Sequence, residues 1–328
     1  MNPKSSLPLQ TGAALLMAML TVALVAVLAS AALWQQWRTL SVETAERDAQ
    51  QTAWLLRGAQ DWALVVLRED GKSGSTDHLA EPWAVPLREA RLSAFLAAAS
   101  NGVVNDSESL TQQVFLSGRI TDMQSRLNVT NLLEGNKLNE RSLQTFARLY
   151  RALGLPEAEL RQWTQALLVS AQNPAAANAS LPPQRFEQLR WLGIEASSLA
   201  RLAPHITVLP VRTTVNLNTA SAEVLYASVP GLELGQANQW AQERANKPFD
   251  NLEDVRQRMG KAADNVNETQ HTVNTRFFEV LGQIRLGQTY QLQKSLVQRD
   301  GSDVKTLWRE QRPLRGEPGC LSTIPTPC

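Results

Sequence analysis

No charged residue stands between Lys4 and Arg38, and residues 13–33 form an apolar run broken only by Thr21 and Ser30. A hydrocarbon core about 30 Å thick needs about 20 apolar helical residues, and this run supplies them. Whatever else the chain folds into, this segment must lie in lipid or against other apolar helices. Trp34 and Trp37 follow it, where amphipathic rings settle at headgroup level, and Arg38 comes next. A secretory signal peptide is the alternative, with Ala29-Ser30-Ala31 as a small-x-small cleavage site. The run is longer than the roughly 7–15 apolar residues of a signal core.

The helical pattern does not stop with the apolar run. Ala45, Ala49, Ala53, Leu56, Ala59, Ala63 and Val66 recur at three- and four-residue steps, with Glu43, Glu46, Arg47, Asp48, Arg57 and Asp61 between them. This spacing predicts one helix from Ala13 to about Arg68, about 80 Å long at 1.5 Å per residue. Its first half is apolar all round and its second is amphipathic, so the first suits lipid or sister helices and the second suits a globular body. Gly71, Ser73 and Gly74 predict the turn that ends it.

A short leader ending in Gly12, a start at Ala13-Ala14-Leu15-Leu16 and a helix of this kind resemble the type II secretion pseudopilins. The resemblance implies that a prepilin peptidase cuts between Gly12 and Ala13 and that the new terminus is methylated. It implies a single-pass anchor in the bacterial inner membrane, a periplasmic globular domain and a helix that becomes the filament spine. Position five of the mature chain is then Met17. Most pseudopilins carry Glu there, pairing with the terminal amine of a neighbouring subunit, and an apolar residue at this place marks the minor pseudopilin K family. Read by itself, Met17 is equally a lipid-facing side chain.

Further along, residues 81–99 are predicted helical after Pro82, with Leu87, Ala90, Leu92 and Leu96 on one face. Residues 114–120 read as a strand and 126–129 as the next, joined by a polar turn. Here Gly118, Ile120, Asp122, Arg126, Asn128, Asn131 and Leu132 again resemble the minor pseudopilin K family, in which a strand, turn and strand lead into a helical insert. Two helices broken at Gly154-Leu155-Pro156 fill residues 143–168. After Thr275, alternating apolar residues predict an antiparallel meander.

Residues 215–260 resemble the helix-hairpin-helix fold of DNA-binding competence and repair proteins, with Asn218 or Thr219 as a cap and Pro230-Gly231-Leu232-Glu233 as the hairpin. Four basic and six acidic residues give this stretch the wrong sign for DNA, and the whole chain, with 32 Lys+Arg against 31 Asp+Glu, has no positive excess. The same unit occurs inside the pseudopilin K insert. A membrane-anchored, periplasmic, competence-type DNA-binding protein stays open as the second reading, and a secreted enzyme as a third.

The expected fold is α+β: a pseudopilin fold, with a long N-terminal helix packed on an antiparallel sheet, and a large all-α domain inserted between strands. Its expected parts are a leader (1–12), the transmembrane and spine helix (13–70), the pseudopilin α/β domain (71–130 and 273–312), the inserted domain (131–272) and a tail (313–328). The resemblance implies a subunit at the pseudopilus tip that initiates assembly and caps the filament for export of folded periplasmic proteins. The implied partners are minor pseudopilins I and J, the major pseudopilin assembly and the inner-membrane platform.

Chemistry is sparse. His78, His205 and His271 stand far apart in no ligand pattern, and surface or capping roles are expected for them. No nucleophile elbow, phosphate-binding loop or metalloprotease helix occurs, so no enzyme is indicated. Cys320 and Cys328 can close a short loop in an oxidising periplasm or stay free. In the family, acidic residues after a Trp help hold calcium. Here Trp163-Thr164-Gln165 is followed by no acidic residue before Arg185, so the local sequence does not supply the carboxylates calcium favours.

Overall fold

The computed structural model describes residues 11–74, 76–99, 114–172, 181–287 and 289–315. It divides at Trp54/Leu55 into two units, and helix α1 (Thr11–Ser73) contributes to both. The first unit is the helix up to Trp54. Its most apolar stretch has a mean hydropathy of 2.5 and no buried residue.

The second unit is built on a five-stranded antiparallel sheet. Its strands are β1 (Leu87–Arg91), β2 (Val114–Asp122), β3 (Phe277–Leu286), β4 (Thr289–Asp300) and β5 (Asp303–Arg315), adjacent in chain order. Period-two alternation sorts the side chains of β3 onto two faces. Phe278, Val280 and Ile284 pack with Leu56, Ala63 and Leu67 of α1, whereas Phe277 joins Met123, Leu209 and Leu296. Gly118 lies opposite Gly282, and a Cβ at Gly118 would stand 2.8 Å from the Leu281 carbonyl oxygen, so only glycine fits. The buried Gln60 amide pins α1 to the sheet. It accepts from Gln293 (2.5 Å), Ser295 (3.2 Å) and Arg309 (2.6 Å), and donates to Thr306 (2.9 Å).

The described residues between Asp122 and Phe277 form the insert, which carries helices α3 (Glu140–Ala152), α4 (Glu157–Gln172), α5 (Ala196–Leu202), α6 (Ala222–Ser228), α7 (Leu234–Asn246) and α8 (Leu252–Met259). The short α2 (Leu92–Ala99) precedes β2. A single core joins these helices through Phe146, Leu149, Trp163, Leu189, Leu225 and Trp240. Trp163 is fully buried and donates its indole N–H to the Tyr150 hydroxyl at 2.7 Å. The insert also reaches the sheet by charge: Lys294 bridges Glu279 (3.0 Å) and Glu187 (3.1 Å), and Arg185 pairs with Glu310 (3.0 Å).

Several local expectations are corrected. Within residues 81–99 only α2 is α-helical, after a single 3-10 turn at Pro82–Ala84; Leu87–Arg91 pairs with β2, because β2 needs a partner on its free edge and the run before Leu92 is short. Leu127–Asn128 does not return into the sheet. It pairs in parallel with Ile206–Thr207, since the turn Met123–Ser125 already sends the chain into the insert. Ser221 caps α6, leaving Asn218 and Thr219 for longer-range bonds. His271 is 1% exposed, not a surface residue, and its ring nitrogens meet Ser228 O and Asn267 N. Strand β5 extends to Arg315, beyond the expected start of the tail.

Candidate assembly site and domain junction

Among the sites read from the sequence, Gly12 and Ala13 lie in the first turn of α1, and Met17 follows one turn later, 66% exposed. Within the apolar run the two hydroxyls are satisfied locally: Thr21 donates to Ala18 O (2.9 Å) and Ser30 to Ala26 O (2.8 Å). Residues 13–33 therefore present no unpaired side-chain hydroxyl donor, which suits an apolar environment. At its end the Arg38 guanidinium lies 6.0 Å from the Trp34 ring centroid. Cys320 and Cys328 lie outside the described residues.

A second site gathers where the insert leaves and rejoins the sheet. At the end of β2, Asp122 accepts from the Gln124 backbone (2.6 Å), Asn216 (2.9 Å) and the Thr219 hydroxyl (2.5 Å). Asp77, on the chain just after α1, accepts from the Thr275 backbone (2.7 Å). Arg299 of β4 donates to both Asp77 and Asp70. Gln124 closes the ring, donating to Thr214 O (3.1 Å) and accepting from Arg276 N (2.8 Å). Burial lifts the Asp122 carboxyl to about 6, with the Thr219 and Gln124 hydrogen bonds pulling the other way. Burial pulls Arg299 down, but the Asp77 and Asp70 carboxylates more than offset it, so the guanidinium stays charged.

The motif residues read from the sequence come together beside this ring. Asn128 donates to Val211 O (2.7 Å) and accepts from Thr130 N and Leu209 N, both at 3.1 Å. Asn131 both donates to and accepts from the Thr213 backbone, at 2.7 and 3.0 Å. Side-chain amides, one buried at Asn128 and one half-buried at Asn131, here replace a sheet ladder as the means of holding two irregular segments together. Sequence reasoning missed Asp77, Asn216, Thr275 and Arg299. The paired Asn216 and Asn218 were the one visible signal.

Asp70, Asp77 and Glu81 form the one group of three potential metal ligands among the described residues. It does not fit a resident cation. Arg299 takes an oxygen of both aspartates, while Glu81 accepts from the Trp83 indole (2.7 Å) and the His78 backbone (2.9 Å).

In the stretch read as a helix-hairpin-helix unit, α6 and α7 flank a turn at Gly231 (φ +85°). A phosphate-binding hairpin needs open amides at the second helix's N-terminus. Here the Glu233 backbone N–H at that terminus is already taken, donating to the Gln236 side-chain oxygen at 3.0 Å, and the Glu233 carboxylate sets a negative charge beside it.

Two protein-family models, both described as Type II secretion system (T2SS), protein K, match residues 125–211 and 215–274, all of them in the insert. Type II secretion system protein K of Klebsiella pneumoniae is 31% identical over 271 residues, spanning 72% of this chain and 76% of the relative. The chain belongs to the type II secretion system protein K family. Protein K of Pseudomonas aeruginosa is 27% identical over 323 residues, with 90% of each covered. Protein K of Pectobacterium carotovorum subsp. carotovorum is 26% identical over 337 residues, with 92% of this chain and 96% of the relative covered. A chain in the crystal structure of the GspK–GspI–GspJ complex from enterotoxigenic Escherichia coli superposes with a TM-score of 0.63 at 17% identity, covering 82% of this chain and 98% of that one. The protein K fold, long helix, antiparallel sheet and helical insert, is thus the fold of this chain.

Proposed function

We propose that this chain is the minor pseudopilin at the tip of a type II secretion pseudopilus, where it joins minor pseudopilins I and J, initiates assembly and caps the filament for export of folded periplasmic proteins. The observation that carries the proposal is Met17. In an apolar helix that sister helices surround, an unpaired terminal amine or carboxylate costs several kcal/mol, so each ordinary subunit needs its Glu matched to a neighbour. A subunit with Met17 has no carboxylate that must find an amine above it, and so suits the one place where no subunit lies beyond it; its own Ala13 amine is left for the Glu of the subunit below.

The prepilin peptidase acts between Gly12 and Ala13, the new amine is methylated, and the apolar helix anchors in the inner membrane before passing into the filament. The major pseudopilin and the inner-membrane platform then extend the shaft below the tip. The role is structural, with no catalysis. Coexpression of the full chain with full-length pseudopilins I and J, followed by size-exclusion chromatography in detergent, tests the proposal. One ternary peak is expected; three separate species contradict it.

A further inference from the structure

The turns of the insert share one device: arginine side chains aimed at backbone carbonyls. Arg148 of α3 directs Nη2 at three carbonyls of the helical hairpin, those of Tyr226, Val229 (2.6 Å) and Leu232 (3.4 Å), with its guanidinium 5.0 Å from the Tyr226 ring centroid. Arg244 of α7 is 7% exposed and gives one nitrogen to Leu217 O and the other to Ala220 O. Arg258 of α8 reaches Pro248 O (3.2 Å) and Lys247 O (2.9 Å), Arg256 reaches Val266 O (3.4 Å), and Arg201 of α5 reaches Leu153 O.

Carbonyls gathered at a turn need a donor or a cation. A hard cation answers that need with six to eight oxygens, and a guanidinium answers it with five N–H groups in a fixed fork. Among the described residues, Arg148 and Arg244 form no salt bridge with a carboxylate; carbonyl dipoles face both guanidiniums, with the Glu233 charge at longer range helping Arg148. Burial pulls Arg244 down only to about 10, which leaves it a cation at neutral pH. No group of three potential metal ligands occurs in the described part of the insert, and residues 162–184 contain no carboxylate.

We propose that arginine side chains, chiefly Arg148 and Arg244, close the turns of the inserted domain in place of a divalent cation, so that this chain folds and keeps its insert without calcium. The inference is independent of where in a filament the chain sits.

The test uses the full chain in detergent, with thermal unfolding followed by tryptophan fluorescence in EDTA and in millimolar calcium, and calcium binding measured by equilibrium dialysis. Coincident midpoints and no stoichiometric calcium are expected; a midpoint raised by calcium, or a tightly held ion, overturns the proposal. Arg244→Met and Arg148→Met should each lower the midpoint by about 3–6 °C. If Arg244→Met does not fold, Arg148→Lys decides, because it keeps the charge but offers the same carbonyls a single ammonium. A midpoint between those of the parent and Arg148→Met supports the clamp, and one equal to the parent's overturns it.

Discussion

The apolar helix of residues 13–33 and the inserted domain solve opposite problems. The helix satisfies its two side-chain hydroxyls within its own turns and leaves its apolar side chains uncovered. The insert does the reverse: it buries its apolar residues in one core and spends side-chain amides and guanidiniums on holding irregular backbone. Stability is therefore internal to the insert and has no such internal source in the apolar helix, and substitutions in the two should be read by different measurements.

The largest effect should come from the insert's core. Trp163→Ala removes a fully buried indole packed edge-on against Phe146, at a ring separation of 6.0 Å. It should cost about 3–5 kcal/mol in thermal unfolding while leaving membrane association unchanged. Leu24→Arg should show the opposite pattern. A charge near the middle of the apolar run costs about 2.5–3.5 kcal/mol of insertion free energy, so the chain should shift out of the membrane fraction while the globular unit's midpoint stays put.

The junction supplies a pH signature. Asp122 has a folded-state value near 6, above its ordinary 3.8, so the folded state holds the proton more tightly. The stability this gives is fully present below about pH 4 and falls away as pH rises through 6, by an amount on the order of 2–3 kcal/mol. Asp122→Asn should flatten that part of the pH–stability curve, and an unchanged curve would remove Asp122 from the junction's energetics. A smaller effect is expected of Asn218→Ala, which deletes paired bonds to the Phe249 carbonyl (2.9 Å) and amide (2.8 Å), at about 1–3 kcal/mol in chemical unfolding.

How much of this was legible in the sequence differs in the same way between the two regions. Helix α1 was readable nearly to its end because its signal is local: an uncharged run followed by three- and four-residue spacing. The strands β3 and β4 were readable because alternation is also local. Asn128 and Asn131 stood out only as members of a motif, and what they bind, the 209–213 segment, lies some 80 residues away. Asp77 and Arg299 are 222 residues apart and gave no signal, since a charge pair across a fold has no spacing rule. Leu87–Arg91 was misread as helix because its strand character comes from pairing with β2, a tertiary effect that overrides local preference.

The most direct measurement of the central claim is amino-terminal mass spectrometry of the chain taken from native membranes. A mature chain beginning at a methylated Ala13, with the apolar helix retained, is expected. A chain beginning near Ala31 would mean that the helix is discarded on export, and the reading of this protein as a filament subunit would be contradicted.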